Sequence, residues 1–88
     1  MNTKKVYAVI LQDGATNELG KIVELYAKPS EFGDYIYAQK IDPNGNYFHM
    51  WLSHKNPADE MNEVELQIPH RYIKAIFYAA DVKEIGFK

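Results

Sequence analysis

IPHRYIKAIFYA, residues 68–79, is the segment on which the architecture depends, because its pattern fits both a helix and a strand. A helix would have Pro69 at its first position, Gly86 as its C-cap, and apolar residues at spacings of three and four: Ile73, Ile76, Phe77 and Ala80. A strand from Tyr72 to Ala79 would follow a short turn and pair with the first strand of the chain to close a barrel. Periodicity by itself leaves both alternatives open.

The segments before it predict strands. Apolar and polar residues alternate from 63 to 68, with Val64, Leu66 and Ile68 set between Glu63, Glu65 and Gln67, which indicates a half-exposed strand. Further upstream, Tyr35 to Ile41 and Tyr47 to Ser53 flank the turn sequence DPNGN, so they predict a hairpin. In its second arm one face carries Tyr47, His49, Trp51 and Ser53, since side chains alternate along a strand.

The first third of the chain predicts two more strands. Val6 to Leu11 is an apolar, largely β-branched run that stops at a turn signal, Gln12-Asp13-Gly14, so we expect a strand buried on both faces. Lys21 to Ala27 contains four large apolar residues and ends at Lys28-Pro29-Ser30. This pattern favours a second strand over a helix.

Composition limits the classes of protein. The chain has 88 residues, a net charge of −2, seven Tyr and no Cys. A chain of this length supports a single core, so we expect one domain over residues 1–88. Without Cys there are no disulfides, thiolate zinc sites or thiol nucleophiles. Small cores leave only roughly 3–5 kcal/mol of net stability, which makes self-association a plausible supplement.

No targeting segment is evident, and we expect a cytoplasmic protein that does not enter a membrane. Met1 to Lys5 is followed by only six apolar residues, 6–11, before Gln12 and Asp13. That run is too short for a signal sequence or a membrane span.

Two segments together resemble the signatures of the Sm-like (LSm) family, which includes compact phage-encoded members. Residues 68–76 match the apolar spacing of the second signature at Ile68, Ile73 and Ile76. Residues 9–14, followed by Gly20-Lys21-Ile22 and Leu25, are similar to the first signature, with the two glycines one residue further apart than usual. The order and separation of the two segments carry the resemblance more than either motif does.

The resemblance implies an all-β fold, a small barrel of five strongly bent antiparallel strands of the Sm-like or SH3-like type. Residues 69–71 would form a short 3₁₀ turn, and Tyr72 to Ala79 would be a strand. The arm Tyr47 to Ser53 would belong to an enlarged hairpin between strands three and four.

Family members form rings in which the fourth strand of one subunit pairs with the fifth of the next. The resemblance therefore implies a homo-oligomer whose interface strands are Val64 to Ile68 and Tyr72 to Ala79. The interface residues would be Val64, Leu66, Ile68, Ile73, Ala75 and Phe77.

Single-stranded RNA is the partner that the resemblance implies. Here Pro69 and His70 stand where the family has Arg-Gly, and His70-Arg71 falls on the Lys-His pair of the bacterial host-factor branch. Phe32 would stack on a base, and Asp34 lies nearest the family's Asn. The alternatives are solvated turn residues for His70 and Arg71, a core position for Phe32 and a turn role for Asp34.

The charge opposes RNA binding, because a ring multiplies −2 per subunit. The alternative is a protein-interaction module on the same fold that has lost nucleic-acid binding. The aromatic residues Tyr35, Tyr37, Tyr47 and Trp51 would form its surface, or else belong to the core or a subunit interface. The acidic set Asp59, Glu60, Glu63 and Glu65 predicts a solvated loop and strand face.

Enzyme and metal sites are not indicated. His49 and His54 are five residues apart, which places them on opposite faces of a strand and argues against zinc. There is no phosphate-binding glycine loop and no nucleophile elbow. We therefore expect neither catalysis nor a cofactor.

Overall fold

A computed structural model describes residues 6–55, 58 and 61–79. The elements are strand β1 (Val6–Leu11), helices α1 (Ala15–Leu19) and α2 (Lys21–Glu24), strands β2 (Tyr35–Ala38), β3 (Lys40–Asp42), β4 (Phe48–Lys55) and β5 (Met61–Ile68), a 3₁₀ turn (His70–Tyr72) and strand β6 (Ile73–Ala79). The expectations for Met1 to Lys5, for Asp59 and Glu60, and for Ala80 and Gly86 lie outside the described residues.

The strands form two antiparallel three-stranded sheets, in the orders β2-β1-β6 and β3-β4-β5. The chain passes from the first sheet to the second at Gln39, the one residue between β2 and β3. The Gln39 amide donates to the carbonyl of Trp51 at 2.9 Å, which holds this crossing against β4. The fold is therefore mostly β, as the strand patterns predict.

The segment 68–79 is a 3₁₀ turn followed by a strand, and the helical alternative is wrong. Pro69 has an extended backbone, with φ −58° and ψ 142°, and β6 begins directly after the turn. β6 pairs with β1 along its length, and the Gln12 amide donates to the Tyr72 carbonyl at 2.8 Å. Pairing with the buried strand β1 gives the backbone of this segment partners that a helix would have supplied internally.

The predicted strand from Lys21 to Ala27 is wrong. The segment begins at Gly20, whose φ of 80° turns the chain, and continues as α2 and a turn. The amides of Glu24 and Leu25 donate to carbonyls four residues earlier. Tertiary packing explains the difference, because the helical turn buries Val23 and packs Tyr26 and Ala27 against the core, while Ile22 and Leu25 are 66% and 70% exposed.

The predicted hairpin is confirmed, since β3 and β4 pair across the turn between them, and the arm Tyr47 to Ser53 forms most of β4. β4 spans Phe48–Lys55 and lies in the middle of the second sheet, paired with β3 on one side and with β5 on the other. Its register with β5 is regular from Phe48↔Ile68 to Lys55↔Met61. One face of β4 is buried, through Phe48, Met50 and Leu52.

The core lies between the two sheets and is closed by the helices. It combines Val9, Leu11, Ile36 and Ala38 of the first sheet with Phe48, Met50, Leu52, Leu66 and Ile68 of the second, and Ala15, Val23 and Tyr72 complete it. A smaller cluster, Ala8, Ile10 and Tyr35, covers the opposite face of the first sheet. Burial of β1 on both faces is thus confirmed. In the part of the chain that is described, no helix has the length and apolarity needed to cross a bilayer.

Candidate functional site

The two basic residues of the predicted RNA site lie on the 3₁₀ turn, and both are exposed. His70 Nε2 lies 2.7 Å from the Gly45 carbonyl oxygen, so the ring donates to the loop between β3 and β4. Its ring also meets the edge of Phe48, with centroids 6.2 Å apart. His70 therefore ties the turn to that loop.

The Arg71 side chain contacts the side chain of its neighbour Tyr72. The guanidinium Nη2 donates to the Tyr72 hydroxyl at 2.9 Å and lies 4.6 Å from the centre of the ring. The hydrogen bond from that hydroxyl to the Glu18 carboxylate, together with burial, raises the pKa of Tyr72, and Arg71 acts in the opposite direction. Arg71 thus belongs to a contact between the turn and α1.

The other two residues of the predicted site point elsewhere. Phe32 packs against Phe77 of β6 with ring centroids 6.1 Å apart, and the Lys74 ammonium donates to its carbonyl at 3.4 Å. Asp34 Oδ2 accepts a hydrogen bond of 2.7 Å from the Thr16 hydroxyl of α1. The four predicted RNA contacts are therefore divided between the β3–β4 loop, α1 and β6.

The predicted interface residues divide into core and surface. Leu66 and Ile68 are buried in this chain's own core, and Val64 and Ile73 pack against it. Ala75 and Phe77 are exposed. Any pairing of β5 and β6 between subunits would therefore use backbone edges more than these side chains.

The predicted aromatic surface is split between the two sheets. Tyr35 and Tyr37 meet edge to face at 4.9 Å on the first sheet, where burial and a hydrogen bond with Tyr35 raise the pKa of Tyr37 to about 12. Trp51 lies in β4 of the second sheet, and Tyr47 directly precedes that strand and is exposed. The set does not form one continuous aromatic surface.

The outer face of the second sheet brings together residues from three strands that are separated in the sequence. We call it the acidic aromatic face, and it consists of Lys40, Asp42, His49, Trp51, Glu63 and Glu65. Alternation along β4 put His49 and Trp51 together, but their neighbours follow only from the strand register. A regular ladder brings the side chains of β3 and β5 beside them.

Two rings occupy the centre of the acidic aromatic face. His49 and Trp51 stack with centroids 4.0 Å apart and planes 19° from parallel. The Lys40 ammonium lies over the Trp51 ring, 4.7 Å from its centre. His49 Nε2 is 2.6 Å from Glu65 Oε1, although the two groups are not aligned as a hydrogen bond.

Among the described residues, no group of three or more acidic or histidine side chains is placed to hold a metal ion. The side chain of His54 lies outside them. Comparison of the chain with family models, with curated proteins and with solved structures finds no match.

Proposed function

We propose that the chain is an Sm-like small barrel that associates edge to edge into a homo-oligomer and serves as an interaction module. In this interpretation β2 and β3 are the two halves of one bent strand that turns at Gln39, which makes five strands in all. The 3₁₀ turn before the last strand supports the same assignment. So does the strand order, in which the first strand lies between the last strand and the first half of the bent one.

The position of β5 and β6 carries the proposal. Each lies at the end of the strand order of its sheet. β6 also exposes large apolar side chains, with Ile76 37% and Phe77 40% exposed. An edge strand of this composition tends to pair with another strand, and pairing β5 of one copy with β6 of the next would cover both edges.

Analytical ultracentrifugation at micromolar concentration tests the assembly. We expect the wild type to sediment as an oligomer and the Ile76→Lys, Phe77→Lys double variant to sediment as a monomer, because charge on an edge strand opposes pairing. Circular dichroism of the variant should match that of the wild type. Ile22→Lys is the matched control, since Ile22 is an exposed apolar residue of α2 and should leave the oligomer intact. A monomeric wild type would refute the assembly.

RNA binding is the second candidate function, favoured by the adjacent exposed basic residues His70 and Arg71 on one turn. Fluorescence anisotropy with U-rich and A-rich oligonucleotides at low and moderate salt measures it. Binding that weakens in the His70→Ala, Arg71→Ala double variant, but not in Lys28→Ala, would support this site. Absence of binding at low salt would leave the protein-interaction function.

A further inference from the structure

We propose that the acidic aromatic face is a docking surface for a basic, arginine-bearing peptide segment of another protein. This proposal goes beyond self-association and is independent of it, because strand pairing would use the edges of the sheet and docking would use its face.

The register places the side chains in rows across three strands. Asp42 lies opposite His49, and His49 opposite Gln67. In the next row Lys40 lies opposite Trp51, and Trp51 opposite Glu65. Residues directly opposite each other point to the same side of a sheet. These side chains therefore share one surface, whose other side is the buried face of β4.

The rings of His49 and Trp51 stack face to face on this surface, and we call this stacked pair the platform. The platform already carries a cation, because the ammonium of Lys40 lies 4.7 Å from the centre of the Trp51 ring. Indole faces attract cations through the ring quadrupole. The intramolecular contact thus marks the place that a cationic group from a partner would take.

Charge around the platform favours the same kind of partner. Three carboxylates, Asp42, Glu63 and Glu65, are exposed on the face, where Lys40 is the one ammonium among the six residues that define it. Glu65 is 53% exposed, so its carboxylate is open to a partner as well as to His49. This arrangement attracts a basic peptide and repels the phosphates of a nucleic acid.

Arginine fits the site better than lysine. A guanidinium is planar, stacks on an aromatic ring and presents parallel N–H groups to a carboxylate, whereas an ammonium is a point charge. On this face an arginine that replaced Lys40 over Trp51 would have Glu65 in the same row of the ladder. A shallow hollow of about 390 Å³, lined in part by Asp42, Tyr47 and His49, adjoins the platform and has room for a neighbouring residue of the peptide.

Trp51 is the single tryptophan of the chain, so its fluorescence reports directly on the platform. The full-length protein is titrated with an arginine-rich peptide, a lysine-rich peptide of equal charge, and a U-rich oligonucleotide, each at low and moderate salt. We expect a saturable change with the arginine peptide, weaker binding of the lysine peptide, and loss of affinity with salt. No saturable change with the arginine peptide at low salt would overturn the proposal.

Substitutions on the acidic aromatic face should change the affinity for the arginine peptide in opposite directions. The Glu63→Gln, Glu65→Gln double variant should bind the arginine peptide about tenfold more weakly, since two exposed ion pairs are lost. Lys40→Met should bind the same peptide about threefold more tightly, because the competing ammonium no longer lies over the Trp51 ring. Lys74→Met removes the same charge from the first sheet and is the control, with affinity close to that of the wild type.

Two results would contradict the site even if peptide binds. One is an equal gain in affinity for Lys40→Met and Lys74→Met, which would mean that only net charge matters. The other is saturable RNA binding that the Glu63→Gln, Glu65→Gln variant strengthens, which would assign the face to nucleic acid. Ultracentrifugation of the same samples keeps this question separate from self-association, since peptide docking is expected whether the chain is a monomer or an oligomer.

Discussion

Alanine substitutions in the segment 21–27 distinguish α2 from the strand that the sequence predicts. Val23 is fully buried, whereas Ile22 and Leu25 are largely exposed on the same side of the helix, three residues apart. In a strand, Val23 and Leu25 would share a face, because side chains alternate. Leu25→Ala is therefore the informative variant, and Val23→Ala and Ile22→Ala are its references.

The magnitudes follow from burial. Val23→Ala removes two methyl groups from the core, each worth about 0.8 kcal/mol, and leaves a cavity, so we expect a loss of about 2 kcal/mol in the free energy of unfolding. Ile22→Ala and Leu25→Ala remove exposed surface and should change it by less than about 0.5 kcal/mol. The higher helix propensity of Ala offsets part of even that small loss.

Urea denaturation followed by Trp51 fluorescence and circular dichroism measures these differences. With the slope usual for a small domain, the Val23→Ala midpoint should fall by about 1 M urea, and the other two midpoints should stay close to that of the wild type. A loss for Leu25→Ala equal to that for Val23→Ala would refute the helix and restore the strand.

Two further predictions concern a backbone turn and a tyrosine. Gly33→Ala should cost about 1–3 kcal/mol of stability, because Gly33 has a φ of 117° and an added Cβ would lie 3.2 Å from the Leu11 carbonyl oxygen. Gly45→Ala, which meets only ordinary contacts, should be nearly neutral in the same denaturation assay, and equal losses for the two would contradict the strain. The raised pKa of Tyr37 means that the folded chain favours its neutral hydroxyl. The stability linked to this preference is fully present below pH 10.0 and is lost as the pH rises toward about 12. Tyr37→Phe should therefore lose less stability over that range than the wild type, and an identical pH dependence would contradict this role.

Strands with a local signature were predictable. The alternation of apolar and polar residues before Ile68 indicates a strand with one buried face, and the continuous apolar run of β1 indicates a strand buried on both faces. Both patterns are visible in the sequence alone. The segment 21–27 was predicted as a strand from its four large apolar side chains, but it lacks a clear period of two, and so short a run also suits a helix. What excluded the strand was the core, which accepts Val23 and leaves Ile22 and Leu25 in solvent.

The candidate sites depended on contacts between distant segments. The predicted RNA residues were placed by motif position, and motif position does not reveal that Arg71 lies on Tyr72 or that Asp34 binds Thr16. The acidic aromatic face was missed for the same reason. Its local signals were the shared side of His49 and Trp51 along β4 and the solvated side of Glu63 and Glu65.

The sequence alone determined the β character of the chain, the turn positions and the absence of cysteine chemistry, since these depend on residue type and short-range order. The tertiary structure decided which strands are neighbours, where each sheet ends, and which charges meet the Trp51 ring. Strand register sets these contacts, and it results from packing a single core between two sheets. A shift of one residue in β3 or β5 would carry Lys40 or Glu65 to the buried side, so the packing that holds the core together also creates the acidic aromatic face.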